Sequence, residues 1–160
     1  MSAAVPGALD FCLALTHAQA GLARRLDDDL GAFHGLNFGD FTLLYLLMRS
    51  DHGRLPMPGL AHSLGLPVSA LIRKMVLLEK TGLAERVAGP DTDARRHAAL
   101  RPGGRRLVQD AVATVEAHCK EALRPVEPEC LRAAHTALVA MSAMSGDNPP
   151  HGRAPACASG

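Results

Sequence analysis

The sequence predicts a mostly α-helical fold that carries one small β-hairpin. Apolar residues make up 48% of its 160 residues and aromatic residues only 3%, so leucine and alanine dominate the core, as is common in helical proteins. Apolar side chains recur at helical spacing over most of the chain. Two short runs, LAERVA and RHAAL, break this spacing and are joined by the polar segment AGPDTDAR, which is typical of a hairpin.

The first third of the chain predicts two helices. One spans residues 8–33, with apolar residues at helical spacing: Phe11, Leu15, Leu22, Leu26 and Leu30. Gly35 ends it, and Asn37 is a good N-cap for a second helix, roughly residues 38–50, which contains FTLLYLLM. Because this helix is apolar nearly all round, we expect it at the centre of the core. The acidic run at residues 27–29 is interpreted as a solvated face, and SDHGR as a turn.

The middle of the chain predicts a short helix near residues 57–64, a turn at Gly65, a helix from Pro67 to about Lys80, and then the hairpin. Pro102 begins another long helix to about Leu123, and a last helix spans roughly residues 129–144. The order of helix, turn, helix and hairpin predicts a winged helix-turn-helix domain in which the hairpin is the wing.

Charge is unevenly distributed along the chain. Residues 53–106 carry ten Lys and Arg against four Asp and Glu, a net charge of +6. The rest carries seven against twelve, a net charge of −5. A basic middle between acidic flanks favours a surface that meets a polyanion over a surface that is merely solvated.

The helix from Pro67 explains how this charge would be used. Its residues Leu71, Met75 and Leu78 share one face, which we expect to be buried. Small and basic residues project around the other side and suit the major groove of duplex DNA: Ser69, Ala70, Arg73 and Lys74. Arg95 and Arg96, at the tip of the wing, suit a narrower groove or its phosphates. This combination predicts DNA binding, and the alternative is a winged helix that binds another protein.

The run from LAHSLGLPVSALIRKMVLLEKTGLAERV through DTDARR resembles the MarR family, the multiple-antibiotic-resistance-type transcriptional regulators. The likeness covers about residues 8–144. It implies a homodimer whose first and last helices interlock, and whose two winged domains read a near-palindromic site that a small molecule or oxidant releases. By position, it implies DNA contacts at Ser69, Ala70, Arg73 and Arg95. It also implies that Asp93 braces an arginine, either Arg73 or Arg86.

On this basis we divide the chain into four parts. Residues 1–36 form an N-terminal dimerisation helix, 37–101 the winged helix-turn-helix region, 102–145 the C-terminal dimerisation helices, and 146–160 a tail that we expect to be disordered. Three residues of the recognition helix are apolar where the family is typically polar: Ile72, Val76 and Leu77. An exposed patch of these three would favour the protein-binding alternative.

Two kinds of release signal are compatible with the sequence. An organic ligand such as an aromatic acid would lie in the cleft between the dimer helices and the winged region, with polar contacts from His17, Tyr45, Arg49 and His118. Alternatively, Cys12 is a thiol sensor of hydroperoxides, with Cys119 of the partner subunit as resolving thiol. Because no basic residue or tyrosine lies near Cys12 in sequence, we favour a buried cysteine that packs as a small hydrophobe.

Several other classes are disfavoured. The sequence has no phosphate-binding glycine loop, no HExxH and no GxSxG, so we predict no enzyme. The cysteines form no CxxC pair, and we predict no metal and no cofactor. The longest apolar run is too short to span a membrane, and no basic region precedes the first apolar stretch. We therefore predict a cytoplasmic, dimeric DNA-binding regulator, a repressor released by a small molecule.

Overall fold

The computed structural model describes residues 5–89 and 96–144, the side chains of Arg96 and Met144 excepted. The chain forms two compact units, residues 1–123 and residues 124–160. In chain order the first unit contains α1 (Ala8–His34), α2 (Phe38–Arg49), β1 (Arg54–Pro56), α3 (Met57–Ser63), α4 (Val68–Lys80), β2 (Ala84–Ala88), β3 (Arg96–Leu100) and α5 (Pro102–Leu123). The second unit contains α6 (Pro128–Met144). The predicted class, mostly α with a small β wing, is confirmed.

Helix α2 lies at the centre of the core, as its composition predicts. Four of its side chains are buried: Phe41, Leu43, Leu44 and Leu47. The side-chain oxygen of Asn37 accepts a hydrogen bond from the Asp40 N–H at 2.8 Å, which confirms the predicted N-cap. Apolar side chains from α1, α3, α4 and the first half of α5 pack around α2 in one cluster. The winged region therefore shares a single core with α1 and α5.

The sheet has three strands, one more than the sequence predicts. The strand order is β1-β3-β2, and both pairs are antiparallel. SDHGR was predicted as a turn only. Its first part does form a short 3₁₀ turn, Asp51–Gly53, but Arg54 begins β1 and pairs with Ala99. A three-residue strand that ends in proline is too short to show an alternating pattern of its own, and its pairing with β3 is not visible in the local sequence.

The two halves of α1 differ in burial. In the C-terminal half, Leu26 and Leu30 are fully buried in the core. In the N-terminal half, Leu9 is 71% exposed and Leu13 is 48% exposed. The periodicity therefore predicts the helix correctly, but among the described residues of the first unit only its second half contributes buried leucines to the core.

Two carboxylates of the acidic run on α1 have defined partners. Asp27 Oδ1 accepts a hydrogen bond from the Phe38 N–H at 2.6 Å, at the first turn of α2. Asp29 is half-buried, and its Oδ2 lies 2.6 Å from Nε2 of His118 on α5. The run is therefore largely solvated, as interpreted, and the Asp29 side chain, which is 45% exposed, in addition pairs with His118.

Helix α5 starts directly at the exit of the sheet. Gly103 and Gly104 lie within the first turn of this helix, which begins at Pro102 as predicted. Gly104 is buried, and a Cβ atom there would overlap the carbonyl oxygen of Leu83 and lie 2.9 Å from Leu100 Cδ1. The close approach of α5 to the start of β2 requires a residue without a side chain at this position.

Helix α6 carries apolar side chains that are exposed within its own unit. They are Leu131, Val139 and Met141. The predicted disordered tail, residues 146–160, lies outside the described residues. Within the described ranges, no single helix is long and apolar enough to cross a membrane, and only α3 and α4 taken together, with a 102° bend between them, reach that limit.

Candidate nucleic-acid interface

The turn between α3 and α4 sets the direction of the candidate recognition helix. Gly65 has a φ of 63°, in the left-handed region that glycine adopts without strain, and the Leu66 N–H donates to the Ala61 carbonyl at 2.9 Å. Pro67 is the N-cap, and the helix begins at Val68, one residue later than predicted. No described side chain caps this terminus, so the first N–H groups of α4 remain available to an anion.

Helix α4 has one buried face and one exposed face. Leu71, Met75 and Leu78 are buried, as predicted. On the other side Ser69 and Arg73 are exposed, whereas Ala70 is half-buried. The structure therefore leaves a hydroxyl and a guanidinium one helical turn apart on the accessible side of α4.

Lys74 has a different environment from its neighbour Arg73. Its Nζ donates to Asp40 Oδ1 at 2.7 Å, and the Asp40 side chain also accepts from the Asn37 amide at 2.8 Å. The lysine side chain is only 32% exposed. The prediction that Lys74 projects with Arg73 is therefore wrong, because its ammonium group links α4 to the first turn of α2.

Arg86 of β2 makes the strongest polar contact between α4 and the sheet. Its Nε and Nη2 donate to Glu79 Oε1 and Oε2 at 2.8 and 2.9 Å, and its backbone N–H also donates to Glu79. The hydrogen bonds from Arg86 to Glu79 raise the pKa of the guanidinium above its ordinary value, so it stays charged at any working pH. Arg86 thus braces α4 through Glu79; Asp93, its predicted partner, lies outside the described residues.

The wing is described at its base. The backbone of Arg96 belongs to β3 and pairs with Ala88 of β2. Arg95, the second predicted wing cation, lies outside the described residues. The described geometry therefore places the wing beside α4 through the Glu79–Arg86 contact, and the contacts of the wing tip stay predictions.

The arrangement matches solved structures. No protein-family model matches the chain, and no curated protein matches it either. The structure of AbsC, a MarR family transcriptional regulator from Streptomyces coelicolor, is similar at a TM-score of 0.76 and 22% identity, over 91% of this chain and 100% of AbsC. The chain has the MarR fold.

Two further structures share this MarR fold. Sco3205, a MarR family transcriptional regulator from Streptomyces coelicolor in complex with DNA, has a TM-score of 0.76 and 20% identity, over 96% of this chain and 97% of Sco3205. CouR from Rhodococcus jostii RHA1, bound to p-coumaroyl-CoA, has a TM-score of 0.73 and 20% identity, over 82% of this chain and 91% of CouR.

Within this MarR fold, the structure brings together two of the four residues predicted to contact a ligand, Tyr45 and Arg49. Tyr45 is half-buried and stacks on Phe41 with ring centroids 5.6 Å apart, and the Arg49 guanidinium carbon lies 5.9 Å from the Tyr45 ring centroid. His118 pairs with Asp29, and His17 is exposed. In the described parts of the chain, no hydrogen bond or ring contact joins either histidine to Tyr45 or Arg49.

The MarR fold also contains a cavity that the sequence did not predict. It has a volume of about 340 Å³ and lies between α1, the start of α2 and the end of α3. Its lining includes Asp27, Asn37, Thr42 and Ser63, and none of the four predicted ligand residues. Its walls come from three separate elements, so no local sequence pattern indicates it.

None of the three cysteines in the described part of the chain forms a disulfide bond. Cys12 is exposed, and Cys119 is half-buried. The favoured interpretation of Cys12 as a buried small hydrophobe is therefore wrong within this chain. No group of three His, Cys, Asp or Glu side chains that could hold a metal ion occurs among the residues that the structure describes.

Proposed function

We propose that this protein is a homodimeric transcriptional regulator that binds duplex DNA and acts as a cytoplasmic repressor released by a small molecule. One observation carries the proposal. Ser69 and Arg73 lie exposed on the candidate recognition helix of a fold shared with a regulator that was crystallised with DNA. A net charge of +6 on residues 53–106 supports the same partner.

The proposed contacts follow from the chemistry of α4. Arg73 presents a planar fork that matches the two acceptors of guanine in the major groove, and the Ser69 hydroxyl bonds a base edge or a phosphate. The uncapped first turn of α4 adds N–H groups for a phosphate. The carboxylate of Glu79 would repel the duplex if it were free, but its hydrogen bonds to Arg86 offset this charge.

A second copy of the chain completes the proposed unit. Leu9 and Leu13 of α1 are exposed, and so are Leu131, Val139 and Met141 of α6. Exposed apolar side chains of this kind often mark a surface that binds a protein. We propose that these helices bury this surface in a two-fold dimer. The dimer would then present two α4 helices to two half-sites of a near-palindromic operator.

Replacing Arg73 by Ala tests the proposal. We expect duplex affinity to fall about 10-fold or more, because each protomer loses one charge-assisted base contact. The matched control is Arg25→Ala, which removes the same charge from an exposed site on α1. Fluorescence anisotropy with the promoter region beside the gene measures both variants. Equal losses for the two variants, or no duplex affinity in the wild type at low salt, would contradict the assignment.

The release signal has two candidates with separate observations. Arg49, exposed beside the Tyr45 ring, offers a guanidinium to the carboxylate of an aromatic acid. The exposure of Cys12 instead favours access for an oxidant. Release of DNA by an aromatic acid would support the first if the Arg49→Ala variant no longer shows this release. Release of DNA by a hydroperoxide would support the second if the Cys12→Ser variant no longer responds. If neither an aromatic acid nor a hydroperoxide releases DNA, a role for either residue in release is contradicted.

A further inference from the structure

Helix α4 exposes an apolar row that the proposed contacts of Ser69 and Arg73 do not use. Val68 and Ile72 are each 40% exposed, and Val76, one turn further on, is half-buried. These three residues recur every fourth position, so they form one row along the helix. Ser69 and Arg73, which directly follow Val68 and Ile72 in the sequence, form the adjacent row on the surface of the helix.

We infer that this apolar row contacts thymine 5-methyl groups, so that the operator carries thymine where Val68 and Ile72 meet the major groove. This inference rests on the proposed DNA-binding function and deepens it by naming the base. Thymine is the base that presents a methyl group in the major groove. A β-branched side chain has few rotamers, so its methyl groups reach a fixed position at little entropic cost.

The surroundings of the row favour a duplex over a protein partner. Arg73 borders it on one side, so an occupant must tolerate a cation beside each apolar contact. Glu79, two turns beyond Ile72 on the same side, is held by Arg86 in a bidentate ion pair, which lowers its repulsion of phosphates. Large contiguous apolar patches mark surfaces that bind proteins. Val76 is half-buried and Leu77, which is 62% exposed, lies outside the row, so Val68 and Ile72 are the only well-exposed members of the row.

Uracil substitution tests this inference without changing any base pair. Duplexes that bind the full-length dimer would first be selected from a random library. Each thymine in the selected duplex is then replaced by deoxyuridine, which removes only the 5-methyl group. We expect one or two positions in each half-site at which wild-type affinity falls about three- to fourfold, the effect of one buried methyl group. Fluorescence anisotropy at constant salt measures each duplex.

The Ile72→Ala variant assigns the effect to the row. It should bind the thymine and uracil duplexes equally at the sensitive position, because it no longer contacts the methyl group. Leu77→Ala is the matched control, since Leu77 is 62% exposed on the same helix but outside the row, and it should keep the full uracil effect. Ile72 is exposed enough that its truncation leaves the core intact, which circular dichroism checks.

The outcomes separate this inference from the proposed function. A selected duplex that binds tightly but shows no uracil effect, or an effect that Ile72→Ala leaves unchanged, would overturn the thymine contact while DNA binding stands. Failure to select or bind any duplex at low salt would overturn both. Sensitivity to uracil that disappears in Ile72→Ala and persists in Leu77→Ala supports the inference.

Discussion

The exposed face of α4 and the N-terminal half of α1 both leave apolar side chains in water, but their surroundings differ. On α4 the apolar residues lie beside Ser69 and Arg73, in the stretch of the chain with a net charge of +6. Residues 8–23 of α1 contain no Lys or Arg and a single carboxylate, Asp10. The first surface suits a polyanion with apolar groups between its charges. The second suits another apolar surface, which the proposed dimer would provide.

Charging the α1 surface should have the largest effect. In the double variant Leu9→Glu with Leu13→Glu, two carboxylates would enter the proposed dimer interface, where burial of unpaired charge is costly. We expect a monomer by light scattering, and duplex affinity reduced by about 100-fold or more because the two half-sites are no longer bound together. Ala18→Glu, on the opposite face of α1, should stay dimeric. A double variant that remains dimeric would show that the two surfaces do not differ as proposed.

A methyl group at the junction of α5 with the sheet should have an intermediate effect, on stability. Gly104→Ala would force the new Cβ against the Leu83 carbonyl, so we expect the free energy of unfolding to fall by about 1–3 kcal/mol. Gly103→Ala is the matched control, because its Cβ would lie 3.4 Å from the Gly82 carbonyl oxygen, an ordinary contact. It should stay within about 1 kcal/mol of the wild type, since alanine favours the helix. Urea denaturation compares the two, and equal stabilities would contradict the close approach.

The contact between α4 and α2 should have the smallest effect. Lys74 and Asp40 are 32% and 24% exposed, so solvent screens their ion pair, and we expect a coupling free energy of about 0.5–1 kcal/mol in a double-mutant cycle with Lys74→Gln and Asp40→Asn. Lys74→Gln should lower duplex affinity less than Arg73→Ala does. If Lys74→Gln lowers duplex affinity as much as Arg73→Ala does, Lys74 contacts DNA as Arg73 does. The assignment of Lys74 to the contact between α4 and α2 would then be contradicted.

Local patterns predicted the helices and the hairpin well. The helix predicted over residues 8–33 is Ala8–His34, and the strand predicted as RHAAL is Arg96–Leu100. These elements carry strong apolar periodicity or clear end signals such as Asn37. Strand β1 escaped prediction because its three residues are ordered by a strand more than forty positions away, as the pairing of Arg54 with Ala99 shows.

The candidate site was predicted in part, for the same reason. The buried face of α4 follows from its own periodicity, so the exposure of Ser69 and Arg73 followed as well. The direction of Lys74 did not, because its partner Asp40 is 34 residues away on another helix. Likewise, the contact of His118 with Asp29 joins residues 89 positions apart. A sequence pattern locates a charged residue on its own helix but does not identify which distant charge holds it.

The salt dependence of duplex binding tests the central claim most directly, namely that α4 and the wing form a surface for DNA. The wild-type dimer would be titrated with the promoter duplex, and with a scrambled duplex, between about 50 and 200 mM KCl. If Arg95 and Arg96 of each protomer both contact a phosphate, as predicted for the wing, the slope of log affinity against log salt should be about −4, with the promoter duplex bound more tightly throughout. Affinity that does not change with salt, or no binding at the lowest salt, would contradict the claim.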